Sequence, residues 1–376
     1  MRIVGIICEY NPLHRGHLRQ IAFARQHADA VVCIQSGSFV QRGELAIADK
    51  FMRAKWALNA GADLVVELPC LSSLQSAQGF ADGGVRIAKA LQLTHLCFGS
   101  ECDDLSALQR IAEATLYPSK RYRDAFTQSI GQGMSYAAAR QRALCADLPD
   151  LPVQAFLPNA TLGVCYLRAM ALQQARLQPL VHARTPGISS TDIRQALQAG
   201  VDIAQVPDDV RRDLHTYPPV FTQALEGALL YRLRTMDRAA YAALPELSEG
   251  IENRLYAAAR TACTLKELLE AIKVKRYPAA RIRRLLCCAL LGITQRDVDA
   301  YVRRPLAYIR VLGMRKACGP LIRTLKSQCA VPLVQRAVEI QDEPAFQIER
   351  RATDLFALAA HRPCGLDFTH PLSIVD

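Results

Sequence analysis

Short apolar runs recur across residues 1–200, at 2–8 (RIVGIIC), 30–35, 63–68 (DLVVEL), 94–98 (THLCF) and 179–182. They are rich in β-branched residues and too short for helices, so they predict strands. Between them apolar positions return at helical spacing over 16–28, 49–61 and 78–91, and Gly61 stands where a helix would end before the next strand. A further helical stretch at 188–200 (ISSTDIRQALQAG) starts on Ser and Thr and ends on Gly200. Strands alternating with helices predict a parallel sheet with helices on its faces.

From Val206 onward the pattern changes. Residues 207–219 (PDDVRRDLHTYPP) read as a linker or cap, and 248–271, 279–291 and 295–302 read as helices, with few strand signals. The expected organisation is an α/β domain over 1–205, Rossmann-like with a parallel sheet, followed by a mainly α-helical domain over 206–376. The length of 376 residues fits two or three domains of about 100–200 residues each. No internal repeat or low-complexity tract interrupts it.

Composition narrows the class. With 51% hydrophobic and 22% charged residues the chain reads as globular, and no apolar run reaches the ~18 residues of a membrane span. The N-terminal apolar run breaks at Glu9 with no small-residue cleavage site after it, so no signal peptide is expected. Thirteen cysteines form no CxxC pair, and several, such as Cys33 and Cys97, sit inside apolar runs. They read as small buried hydrophobes in a reducing compartment, so a cytoplasmic protein without a zinc site is expected. The net charge is +11, and residues 251–326 alone carry 17 Lys and Arg against 5 acids. One segment thus holds the whole positive excess, which suggests either a polyanionic partner or a solvated helical surface.

The densest chemistry follows the first strand, in GIICEYNPLHRGHLRQ. His14 and His17 lie three residues apart, so their rings can share one face of a helix start, and Gly16 lets a ligand approach the backbone. In an open α/β sheet ligands bind beyond the carboxyl ends of the strands, where a helix N-terminus favours phosphate. Two imidazoles there can donate to phosphoryl oxygens as charge builds in an in-line displacement. Downstream, ISSTDIR places Ser189, Ser190 and Thr191 at a helix start with Arg194 in its first turn. An ordinary Ser/Thr N-cap would look the same in isolation. The order strand, HxGH, then ISSTxxR resembles the HIGH-type nucleotidyltransferases, which bind ATP and react at its α-phosphate.

The resemblance extends further. EYNPLHRGH, SGSFVQRGELA (36–46), DKFMRAKWALNAGADLVVELP (49–69), FGSE (98–101), PNATLGVCYL (158–167), EGIENRL (249–255), IKVKRYPAARIRRLL (272–286) and YIRVLGM (308–314) occur in the order found in the bacterial tRNA(Met) cytidine acetate ligases. It covers most of the chain and is weakest over the last 50 residues. It implies an enzyme that activates acetate with ATP, accompanied by Mg2+, as acetyl-adenylate. Pyrophosphate is released and the acetyl group passes to N4 of the wobble cytidine, C34, of elongator tRNA(Met). No obligate protein partner and no membrane are implied.

Residue roles follow from the same resemblance. Ile7, Cys8, Glu9, Tyr10, Asn11, Pro12, Leu13, His14, Arg15, Gly16, His17, Leu18, Arg19 and Gln20 would form the wall and phosphate cradle for ATP, with His14 and His17 catalytic. Gly99, Asn159, Arg184, Ser189 and Thr191 would also meet ATP. Their plainer readings are a strand-end turn for Gly99, an N-cap for Asn159 and a surface arginine for Arg184. Lys273, Lys275, Arg276, Arg281, Arg283 and Arg284 would contact tRNA phosphates. Tyr277 either stacks on a base or packs in the core. Gln41–Glu44, Lys50, Arg53 and Lys55 either bind phosphate or acceptor, or form a solvated face. Arg15, Leu13 and Val274 depart from the family's usual Asn, Phe and Thr, and the segment between Arg184 and Ile188 is shorter than usual. Two other functions remain open: a small-molecule adenylyltransferase, which leaves the basic half without a purpose, and a non-catalytic tRNA-binding protein, which leaves the histidines unused.

Overall fold

The computed structural model describes every residue except 185, 186, 188, 202, 248, 249 and 274–276. Ten strands are present among the described residues: β1 (Ile3–Cys8), β2 (Ala30–Ser36), β3 (Phe39–Val40), β4 (Glu44–Leu45), β5 (Leu64–Leu68), β6 (His95–Ser100), β7 (Gln178–Ala183), β8 (Ile309–Arg315), β9 (Leu333–Val334) and β10 (Ser373–Val375). The main sheet runs β10-β8-β5-β2-β1-β6-β7, with β9 beside β8, and β3 and β4 form a separate antiparallel ribbon.

All five sequence-predicted strands are in this sheet. β1 pairs in parallel with β2 from Ile3↔Ala30 to Cys8↔Gln35, and with β6 on its other side. Its side chains alternate between two cores: Ile3 and Ile7 pack with Val32 and Val66 on one face, Val4 and Ile6 with Val31 and Val65 on the other. A strand buried on both faces must be apolar throughout, which is why IVGIIC shows no polar alternation. Because the chain leaves β1 for β2 on one side and reaches β6 on the other, a crevice opens beyond the carboxyl end of β1.

The predicted helices of this half are Arg15–Gln26, Lys50–Asn59, Ala77–Ala90 and Ser190–Gln198. Gly61 follows the second of them at φ +113°, a conformation that favours glycine.

Three expectations for the second half need correction. Residues 207–219 are not a mere linker: helix Asp208–Thr216 buries Val210 and Leu214 in the core under β1, and Trp56 Nε1 donates to Asp213 Oδ2 at 2.9 Å. The single helix expected over 248–271 is two, Ile251–Thr261 and Leu265–Ile272. Thr264 caps the second by accepting from Glu267 N at 3.1 Å, and the Glu267 carboxylate accepts from Cys263 N at 2.8 Å, so the local polar pattern supports the break. Ser248 and Glu249 lie outside the described residues.

The third correction concerns strands. β8 joins the sheet antiparallel to β5, and β10 pairs in parallel with β8, so the sheet takes strands from both sides of the 205/206 boundary. In the chain between β7 and β8, helices Glu226–Thr235, Ile251–Thr261, Leu265–Ile272 and Ala279–Leu291 share their own core around Leu233, Leu255, Leu268 and Leu285. The return of the chain is fastened by buried charge. Lys50 Nζ lies 2.6 Å from Glu67 Oε1 and 2.8 Å from Asp367 Oδ1, and Arg310 also pairs with Asp367. No helix of the described residues is long and apolar enough to cross a membrane.

Candidate active site

Helix Arg15–Gln26 begins directly beyond β1, and His14 is its N-cap. His14 Nδ1 accepts from Gly16 N at 3.0 Å, while His17 Nδ1 accepts from His14 N at 3.3 Å. This reciprocal capping box spends both Nδ1 atoms as acceptors, so in the neutral rings the proton sits on Nε2. The rings stack with centroids 3.8 Å apart. Burial, followed by the Arg184 and Arg19 guanidinium groups, lowers His14 to about 4. Burial, then His14 and Arg184, holds His17 well below the usual imidazole range. Both histidines are therefore neutral N–H donors at pH 7.

They face a cavity of about 350 Å³ walled by Ile7, Cys8, Glu9, Tyr10, Asn11 and Gln20 from the first block, with Gly99, Asn159, Arg184, Ser189 and Thr191. Thus segments far apart in sequence converge on one cavity. The rest of the first block supports the wall rather than lining it. Leu13 is 1% exposed, Leu18 packs against the core beside β1, and Pro12 is buried. Arg15 and Arg19 are exposed, and Gly16 supplies the backbone N–H for His14.

Each distal residue has a defined partner. Gly99 faces Arg184 so closely that a Cβ there would lie 3.2 Å from Arg184 Cγ. Asn159 is not the N-cap of helix Pro158–Leu172, since that position is Leu157. Its amide nitrogen donates to Glu101, whose other oxygen accepts from Ala160 N at 2.9 Å, and its Oδ1 accepts from Arg184 at 3.3 Å. Ser189 caps helix Ser190–Gln198, and its hydroxyl donates to Asp192 at 2.7 Å, so the side chain is engaged in a second capping box. Thr191 accepts from Arg194 at 3.4 Å.

The cavity has further lining residues: Arg194, Gln41 and Arg42 belong to segments the sequence singles out, while Phe80, Leu162 and Tyr166 are not expected there. Arg194 reaches back to donate to Asn11 O at 3.0 Å and so ties the second signature to the first. Gln41, Arg42, Phe80, Leu162 and Tyr166 also face the cavity. Gln41 lies in the SGSFVQRGELA block, where its backbone N–H binds Glu9 at 2.6 Å. Phe80 and Tyr166 look like ordinary core positions, and nothing in the sequence sets them apart. Glu9 is half-buried in the cavity wall, and burial raises its carboxyl above the usual range.

The basic positions divide sharply. Lys50 and Arg53 are fully buried and so neither reach an outside ligand nor form a solvated face. Arg53 donates to Glu9 O at 2.7 Å and Ala48 O at 3.0 Å, bracing the loops around the cavity. Lys55 is exposed. Of the six cations expected on tRNA, Lys273 is exposed, and Lys275 and Arg276 lie outside the described residues. Arg284 is 7% exposed and pairs with Glu246 at 3.1 Å, so its expected role on tRNA is corrected: the turn that carries Glu246 holds it inside the fold. Arg281 donates to Glu246 O and lies over the Tyr277 ring at 4.7 Å. Arg283 pairs with Glu44. Tyr277 is 8% exposed and belongs to the helical core. Among the described residues, no three His, Cys, Asp or Glu side chains converge to hold a metal.

A parallel sheet, a histidine-capped helix beyond its first strand and a second capped helix across the cavity define a HIGH-type nucleotidyltransferase, and residues 1–367 match the HIGH Nucleotidyl Transferase family. A protein of Acetivibrio thermocellus named tRNA(Met) cytidine acetate ligase is 33% identical, with 100% of both chains covered. One of the same name from Anoxybacillus flavithermus is 33% identical over 96% of each. The crystal structure of Thermotoga maritima TmcAL bound with alpha-thio ATP matches at TM-score 0.92 and 27% identity, covering 100% of both chains. The chain belongs to the tRNA(Met) cytidine acetate ligase family.

Proposed function

We infer that this protein activates acetate with ATP and transfers the acetyl group to N4 of cytidine 34 in elongator tRNA(Met). The observation that carries the reading is the convergence of two neutral imidazole donors, Arg184, Asn159 and the ISSTDIR helix start on one cavity beyond β1. An acetate oxygen attacks the α-phosphorus and pyrophosphate leaves, so negative charge builds on phosphoryl oxygens. The Nε2–H groups of His14 and His17 donate to that charge, and Arg184 neutralises it. Neutral N–H donors suit this task, because their hydrogen bonds strengthen as charge develops on the phosphoryl oxygens. Gly99, lacking a Cβ, lets the Arg184 side chain lie against the end of β6 at the cavity wall, and Ser190 and Thr191 present backbone N–H groups at a helix start. Mg2+ enters in this reading with the triphosphate.

The acceptor side lies on the helical segment. Lys273 is joined there by Arg254, Arg260 and Lys266, which are exposed on helices Ile251–Thr261 and Leu265–Ile272. These cations are the tRNA contacts in our reading, in place of the buried Arg284.

The test is pyrophosphate release from ATP, with and without acetate and with and without tRNA(Met), followed by analysis of the RNA for N4-acetylcytidine. Acetate-dependent release together with acetylation of C34 supports the reading. Turnover driven only by a phosphorylated metabolite would make the protein a small-molecule adenylyltransferase. RNA binding without nucleotide turnover would make it a non-catalytic tRNA-binding protein.

A further inference from the structure

A second cavity of about 400 Å³ adjoins the ATP cavity and shares Arg42, Thr191 and Arg194 with it. It lies between the β3–β4 ribbon and helices Glu226–Thr235, Leu265–Ile272 and Ala279–Leu291. Most of its wall is apolar, including Leu45, Phe221, Leu229 and Leu286. Among the described residues lining it, Glu44 is the one carboxylate. Volume and lining suit a flat, partly apolar group such as a nucleobase.

Glu44 is held in place from three directions. Its carboxylate pairs with Arg194 at 3.2 Å through one oxygen and with Arg283 through the other. Leu45 N donates to Thr222 Oγ1 at 2.9 Å. Gly43, at φ +72°, sits so close to the Arg283–Arg284 backbone that a Cβ would collide with it. The ribbon is therefore docked onto helix Ala279–Leu291. An ionised carboxylate offers about four acceptor positions, so two ion pairs leave capacity for a further donor. The Glu44 side chain keeps 22% of its surface exposed.

We propose that this second cavity receives the acceptor base and that Glu44 recognises cytosine by accepting a hydrogen bond from its exocyclic amine. Cytosine presents an N4–H donor at this edge, whereas uracil presents an O4 acceptor that a carboxylate repels. The shared wall then puts the held amine beside the activated acyl group. Glu44 is a specificity residue here, and Arg194 and Arg283 position it. The proposal rests on the acetyl-transfer reading given above.

The test uses the full-length protein and anticodon stem-loop RNAs carrying cytidine, uridine or 4-deoxy-pyrimidinone ribonucleoside at position 34, without ATP. The wild-type protein is expected to bind the cytidine loop at least roughly tenfold more tightly than either of the others, as a single good base contact allows. In Glu44→Gln the cytidine preference over uridine should collapse to within about threefold, because an amide can donate to O4 as well as accept from N4. A Glu44→Gln protein that keeps the full preference overturns the proposal. So does a wild-type protein that binds the loop lacking the exocyclic amine as tightly as cytidine, a result that needs no variant. Acetate-dependent pyrophosphate release by the wild-type protein is measured alongside. If it is present while cytosine preference is absent, Glu44 recognition fails and the activation reading stands; if it is absent, the activation reading itself fails.

Discussion

Replacing His14 with Asn separates the two things this residue does. Asn is among the best N-caps, so the start of helix Arg15–Gln26 should survive, and stability at pH 7.5 should change by less than about 1 kcal/mol. What disappears is the Nε2–H donor and a titrating group. Loss of one donor to a charged transition state should slow acetyl-adenylate formation ~100–1,000-fold. The pH dependence supplies a second reading. His14 is lowered to about 4 by burial and by Arg184 and Arg19, against about 6.5 in an unfolded chain. The unfolded state therefore takes up the proton first. The stability held by the neutral ring is complete above pH 6.5 and is lost as pH falls toward 4. At pH 5 the loss is about 2 kcal/mol relative to pH 7.5. His17 adds to the slope in the same direction, and Glu349, pushed up to about 8 by burial and then by Glu67, opposes it. Glu349 is untouched in the variant, and His17 keeps its burial while losing the push from His14, so the difference between the two proteins reports His14 together with its effect on His17. Urea unfolding at pH 7.5 and pH 5, with acetate-dependent ATP–pyrophosphate exchange, measures both quantities. Exchange within tenfold of wild type, or an unfolding free energy that drops equally with pH in both proteins, would refute the argument.

Converting Arg254, Arg260, Lys266 and Lys273 together to Ala should weaken tRNA binding. It should also flatten the salt dependence by ~0.7–0.9 log units for each phosphate no longer neutralised, read from binding isotherms at several salt concentrations. The same mutant should keep acetyl-adenylate formation, since none of the four lines the ATP cavity. Arg284→Ala should instead lower stability, by about 1–3 kcal/mol, because it removes a nearly buried cation from Glu246, which is 27% exposed and keeps its bond from Ser76 N; a melting curve that overlays wild type would show the pair to be dispensable. Lys50→Met should cost about 3–5 kcal/mol in urea unfolding, as Glu67 and Asp367 would lose their shared buried cation.

What could be read from the sequence is what depends on near neighbours. The run IVGIIC announces a strand buried on both faces, and it is the central β1. His14 and His17 cap a helix because each needs only the backbone within three residues of the other, so their geometry follows from HxGH. Ser189 and Asp192 form their capping box for the same reason. The family blocks also named residues such as Gly99, Asn159 and Arg184 that the sheet then gathers around one cavity. By contrast, the fate of a charge depends on partners that the chain supplies from elsewhere. Lys50, Arg53 and Arg284 look like surface cations in the sequence, yet Asp367, the carbonyls around Glu9, and Glu246 take them inward. Arg283 looks like a phosphate ligand and is held by Glu44, 239 residues away. β8 is itself a short apolar run, and what the sequence leaves open is its place, antiparallel at the open edge of β5, a partner supplied from the other half of the chain. Burial and long-range pairing are properties of the folded whole, so only the tertiary structure could decide which cations face a ligand and which brace the protein.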